Sequence, residues 1–137
     1  MSWLLDTNVV SEIRKGPRGN PGVMRWVAGR QDDAWLSVLT LGELRRGVEL
    51  RRRKDAVAGR YLQVWLDGLI ANFGSRILPI DTRVADLWGR LNVPDPIPAV
   101  DGLLAATALV HGLTLVTRNV KDVSATGVAV FDPFSDG

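Results

Sequence analysis

Four acidic residues, Asp6, Glu43, Asp101 and Asp122, are the groups of this chain best placed for chemistry, with Thr117 and Asn119 as further oxygen donors near the last of them. Asp6 follows an apolar run in Leu4-Leu5-Asp6-Thr7-Asn8, which also reads as a helix N-cap. Glu43 closes Thr40-x-x-Glu43, a spacing that equally fits a capping box at a helix start. Its neighbour Gly42 is a poor helix former and suggests close approach by another group. Asp101 is the single charge in Pro98 to Val110, apolar nearly all round and so expected as a buried helix. A first-turn carboxylate gains about 0.3–1 kcal/mol from the helix dipole, whereas desolvating an unpaired charge costs several. A cation, a basic partner or solvent must therefore compensate it. Asp122 ends Thr117-Arg118-Asn119-Val120-Lys121-Asp122, where turn chemistry is the competing account.

The joint pattern says more than any one position. Two acids follow strand ends, and two stand in the first turns of the helices expected after Val38 and Pro98. In a parallel sheet those places converge on one edge. Clustered carboxylates raise one another's pKa, and a divalent cation relieves them. Oxygen ligands without His or Cys favour Mg²⁺ or Mn²⁺, which keep several waters and bind phosphates. The chemistry that fits is phosphodiester hydrolysis, with the metal lowering the pKa of the attacking water.

Other chemistries lack their parts. The chain has no cysteine and one histidine, which excludes thiolate nucleophiles, Cys-ligated metals and multi-histidine metal sites. That residue, His111, precedes Gly112 at an expected helix end, where capping accounts for both. Neither a Gly-x-Ser-x-Gly elbow nor a Gly-x-x-x-x-Gly-Lys loop occurs.

The elements that must position these groups alternate short apolar runs with longer helical patterns, the rhythm of an α/β fold with a parallel sheet. Strands are expected at Trp3 to Leu5, Ala34 to Val38, Ile77 to Ile80, Leu113 to Thr117 and Val128 to Phe131. Helices are expected at Thr7 to Arg14, Gly22 to Arg30, Leu41 to Arg53, Asp55 to Phe73, Thr82 to Leu91 and Val100 to His111. The Val57 to Phe73 stripe is wider than one buried face requires and suggests a partner.

The 137 residues, 46% hydrophobic and 23% charged, suit one globular domain over residues 1–137. No secretory signal or membrane span is read, so a soluble cytoplasmic protein is expected. A net charge of +2 is too small to indicate nucleic-acid binding by itself. Between Arg45 and Arg60, however, seven basic residues face only Glu49 and Asp55, a local balance of +5. That run begins beside Glu43 and is suited to guide a phosphate backbone, with Arg45 and Arg46 as substrate contacts; a solvated helix face explains it equally well.

Leu4-Leu5-Asp6-Thr7-Asn8, Gly42-Glu43-Leu44, Asp101-Gly102-Leu103-Leu104-Ala105-Ala106-Thr107-Ala108 and Leu115-Val116-Thr117-Arg118-Asn119-Val120-Lys121-Asp122 together resemble the PIN-domain family. More narrowly, they resemble VapC-type toxins of type II toxin–antitoxin pairs. The order runs on to Val130-Phe131-Asp132-Pro133-Phe134 and covers nearly the whole chain; Val123 stands where the family often has Phe.

The resemblance implies a three-layer α/β/α fold around a central, mostly parallel sheet of about five strands. It implies a Mg²⁺- or Mn²⁺-dependent ribonuclease inhibited by a cognate antitoxin bound over the site. Asp6, Glu43, Asp101 and Asp122 would be catalytic, Asp6 and Asp101 would hold metal, and Thr117 and Asn119 would support them. With the apolar stripe and five tryptophans, it also implies a homodimer that takes RNA as substrate and involves no membrane. Two other readings compete. A DNA-directed PIN-like nuclease would use the same acids, and a non-enzymatic receiver-like signalling domain would need Asp81 as its phosphorylatable residue.

Overall fold

The computed structural model describes residues 1–135. It has strands β1 (Trp3–Leu5), β2 (Ala34–Ser37), β3 (Ile77–Leu78), β4 (Thr114–Val116) and β5 (Val130–Phe131). They lie in the order β3-β2-β1-β4-β5, and every neighbouring pair is parallel. The helices are α1 (Thr7–Arg14), α2 (Pro21–Val27), α3 (Val38–Lys54), α4 (Ala56–Phe73), α5 (Thr82–Leu91), α6 (Ala99–His111) and the single turn α7 (Val120–Val123).

Alternation along each strand builds two cores. Leu5, Leu36 and Val116 pack with Val9, Trp26, Leu44 and Leu66 of α1 to α4. Their strand neighbours Leu4 and Leu115, with Trp35 beside them, pack with Leu104, Ala105 and Val123 of α6 and α7. Successive side chains of a strand point to opposite faces, so a sheet covered on both sides requires continuous apolar runs. That is why Leu4-Leu5 and Leu115-Val116 show no polar alternation.

Strand ends are shorter than expected by up to two residues, and the second, third, fourth and sixth helices differ at one or both ends. The third helix starts at Val38 instead of Leu41, because Ser37 caps it: the Ser37 hydroxyl accepts from Leu39 N at 3.0 Å. Thr40 is therefore already inside the helix, its buried hydroxyl unpartnered among the described residues, and the Thr40–Glu43 capping box does not form. The second helix is Pro21–Val27 instead of Gly22 to Arg30; Asn20 caps it, Pro21 occupies its first position, and Gly29 turns the chain at φ 79°. The sixth gains Ala99 at its start. Gly42 meets nothing within 4 Å of where a Cβ would stand, so the close approach expected there is absent. It occurs instead at Gly59 of α4, where a Cβ would lie 2.6 Å from Arg52 Cα in α3, locking the two long helices together.

Candidate active site

The chain turns from β1 to β2 and β3 on one side and returns to β4 and β5 on the other, so the carboxyl ends of β1 and β4 flank a topological switch point. Open α/β sheets bind ligands at such crevices. The register makes the site: Leu5 pairs with Val116, so the next residues, Asp6 and Thr117, emerge side by side. Asp6 N donates to Val116 O at 2.9 Å and Thr117 N to Phe131 O at 3.0 Å, holding both backbones to the sheet.

Asp6 is only 5% exposed. Its Oδ2 accepts from Thr117 Oγ1 at 2.7 Å, and its Oδ1 from Thr7 N at 2.7 Å. Thr117 Oγ1 in turn accepts from Asn119 N at 2.9 Å, and Asn119 Nδ2 reaches Asp101 Oδ1 at 3.4 Å. A single chain of hydrogen bonds thus runs from β1 through the loop after β4 to the first turn of α6. There Gly102 lets the helix approach Trp88 of α5: a Cβ would stand 3.2 Å from the indole ring. Thr7 Oγ1 donates to Glu43 Oε1, tying α1 to the second turn of α3.

Burial raises the Asp6 pKa above the usual carboxylate value; the Thr117 and Thr7 hydrogen bonds oppose this, while repulsion from Asp101 and Glu43 adds to it. Burial also raises that of Asp101; Asn119 opposes the shift, and Asp122 and Glu43 reinforce it. Mutual repulsion therefore links all four expected acids, although they differ in depth: Asp6 is buried, Asp101 is half-buried, and Glu43 and Asp122 are exposed. The helix holding Asp122 is one the sequence did not announce, since four residues carry no periodicity.

No three acidic or histidine groups stand ready to cage an ion among the described residues. The donor set still fits a hard cation such as Mg²⁺, which needs only one or two carboxylates and keeps waters for its other positions. Asp6 and Asp101 meet that requirement: both have raised pKa values, with a fixed hydroxyl and amide beside them. The Thr117 hydroxyl and the Asn119 amide donate to these two carboxylates.

Neither Arg45 nor Arg46 hydrogen-bonds to any of the four acids among the described residues. Arg45 pairs with Asp67 at 3.4 Å. Neither lines the groove of about 620 Å³ that begins at Thr7 and Glu43 and runs between α1, α3 and α4. The cationic residues that do are Arg14, Arg18 and Arg51. Sequence reasoning passed over the first two because they lie outside the dense basic run. The helical spacing Glu43, Gly47, Arg51 was the available signal for the third. Asp81 caps α5, accepting from Val84 N at 3.0 Å, and follows an edge strand, so it is not the mid-sheet acid a receiver needs.

Parallel sheet, acidic switch point and hydrogen-bonded Asp-Thr-Asn series define a class, and the comparison with known families agrees: the model for the PIN domain matches residues 3–125, and the chain belongs to that family. Its place there is among the toxins. Toxin FitB of Neisseria gonorrhoeae is 37% identical over 142 residues, covering 97% of this chain and 99% of that protein. VapC ribonuclease Y4jK of Sinorhizobium fredii is 30% identical over 141 residues, covering 96% of each. The crystal structure of FitAcB from N. gonorrhoeae superposes with a TM-score of 0.80 at 37% identity, covering 96% of this chain and 98% of that one. No helix among the described residues is long and apolar enough to cross a membrane.

Proposed function

We propose that this chain is the toxin of a type II toxin–antitoxin pair and acts in the cytoplasm as a Mg²⁺- or Mn²⁺-dependent endoribonuclease, within one domain of residues 1–137. The observation that carries the proposal is the buried Asp6, hydrogen-bonded to Thr117 and repelled by Asp101 and Glu43 at the carboxyl edge of the sheet. The relative named a VapC ribonuclease supports RNA over DNA as substrate.

A bound divalent ion would lower the pKa of the attacking water and stabilise charge on the phosphate. Asp6 and Asp101 would hold it. Thr117 keeps Asp6 in one orientation, and Asn119 does the same for Asp101. Glu43 or Asp122, both exposed, would take the proton of the attacking water. An antitoxin would bind the chain, as the toxin–antitoxin complex from Klebsiella pneumoniae among the related structures supports, and would inhibit it by covering this acidic edge. The chain would act as a homodimer; on α4, Val57 and Val64 are 63% and 67% exposed, whereas Leu66 of the same helix is fully buried. The expected apolar stripe thus divides between core and surface.

The test is cleavage of RNA and of matched DNA by the purified protein with Mn²⁺ and with excess EDTA. RNA cleavage that needs the metal and disappears in Asp6→Asn is expected. Equal cutting in EDTA would overturn the metal assignment, and preferential cutting of DNA the substrate.

A further inference from the structure

The groove running away from Glu43 has a chemistry that the catalytic acids do not explain. Its walls carry Arg14 at the end of α1, Arg18 just beyond it and Arg51 on α3, with Tyr61 and Trp65 from α4. None of the three arginines makes an ion pair or a side-chain hydrogen bond among the described residues, so their charge is available to a ligand. The Tyr61 ring is 75% exposed, unusual for a side chain with so much apolar surface. The one acid on the wall, Glu43, stands at the end where the groove meets the carboxylates. At about 620 Å³ the space is of the size that encloses a drug-sized ligand.

We propose that this groove holds the single-stranded RNA flanking the cleaved bond, with a base stacked on Tyr61 and phosphates on Arg14, Arg18 and Arg51. This rests on the ribonuclease reading and extends it to where sequence preference is set. Unpaired cations along the wall with an aromatic face between them are how proteins grip single strands: the cations follow the backbone while the ring accepts a base. The charge gradient orients the strand, because the positive walls lead to a negative end where only a phosphate neutralised by metal is tolerated. Gly47 enlarges the groove at its middle; a Cβ there would meet nothing within 4 Å.

The probe is a labelled single-stranded 2′-O-methyl RNA of about ten nucleotides, bound to the full chain in EDTA and followed by fluorescence anisotropy across a salt series. Tyr61→Ala should weaken binding roughly five- to hundredfold, the range for one lost base stack, and Tyr61→Phe should retain the parent's affinity. Arg51→Gln should flatten the slope of log affinity against log salt by about 0.7, one phosphate contact's share. Gly47→Met should fill the groove and weaken binding while melting no lower than the parent, since it replaces a poor helix former without a clash. Unchanged affinity in Tyr61→Ala and Gly47→Met with an unchanged salt slope would overturn the proposal and leave the groove to a protein segment. If the parent nevertheless cuts RNA with Mn²⁺, the ribonuclease reading stands; a parent that neither binds nor cuts RNA refutes both.

Discussion

Thr117→Val is the most informative single change, because it keeps the shape of a side chain only 1% exposed and removes two hydrogen bonds. The hydroxyl donates to Asp6 Oδ2 at 2.7 Å and accepts from Asn119 N at 2.9 Å. A bond to a charged group contributes about 1.5–3 kcal/mol, and an orphaned, half-buried N–H costs about 1 more, so the variant should lose about 2.5–4 kcal/mol. For a chain of this length that is a fall in Tm of about 6–15 °C. The loss should also depend on pH. Burial raises the folded-state pKa of Asp6 above 3.8, and the Thr117 bond is the strongest influence holding it down. A raised folded pKa means that the associated stability is fully present below the unfolded value and lost as pH rises through the folded one. Without the hydroxyl, the folded pKa climbs further and more is lost. Melts in EDTA from about pH 4 to about pH 8 should therefore show the smallest gap between parent and variant at the acidic end, widening towards neutrality. A gap that is constant with pH, or a fall of less than about 2 °C at neutral pH, would refute the reasoning.

Asp101→Asn, in EDTA near pH 8, should melt at or above the parent, since burial and repulsion from Asp122 and Glu43 raise the folded Asp101 pKa and make its ionised form a source of strain. Mn²⁺ should then raise the parent's Tm more than the variant's; a clearly less stable variant with an equal metal response would make Asp101 a structural residue. Glu43→Gln should leave Tm nearly unchanged, because Glu43 is exposed and the cap belongs to Ser37, yet lower RNA cleavage by about a hundredfold or more as a lost proton acceptor. Full activity would remove it from the chemistry. Gly59→Ala should cost about 1–3 kcal/mol by driving a methyl into the Arg52 backbone, whereas Gly42→Ala should stabilise by up to about 1 kcal/mol; equal melting of the two would contradict the packing of α3 on α4.

Much of this was legible in the residues. Continuous apolar pairs such as Leu4-Leu5 and Leu115-Val116 announce strands buried on both faces, and an acid or hydroxyl just after each pair marks the carboxyl edge. The lone charge of an otherwise apolar helix singled out Asp101. What misled was local chemistry with two solutions. The Thr40–Glu43 spacing resembles a capping box, but the end of β2 leaves Ser37 as the cap and Thr40 inside the helix. The groove was hidden because Arg14, Arg18, Arg51 and Tyr61 come from four separate stretches, and no periodicity within one element reports a surface shared by several. Arg45 and Arg46 drew attention by density of charge, which carries no information about direction.

The hydrogen bond between Asp6 and Thr117 spans 111 positions of sequence. A ribosome adding about 5–20 residues per second needs about 6–22 seconds to travel that distance. Throughout that interval β1 has no β4 beside it and Asp6 has no hydroxyl to hold it; Asp101 is added only near its end and Asp122 after it. A half-translated chain therefore lacks the Asp6–Thr117 pair. The acidic edge thus exists only once β4 has joined β1 and Thr117 has reached Asp6, which ties any activity of the site to the folded sheet and not to one local segment.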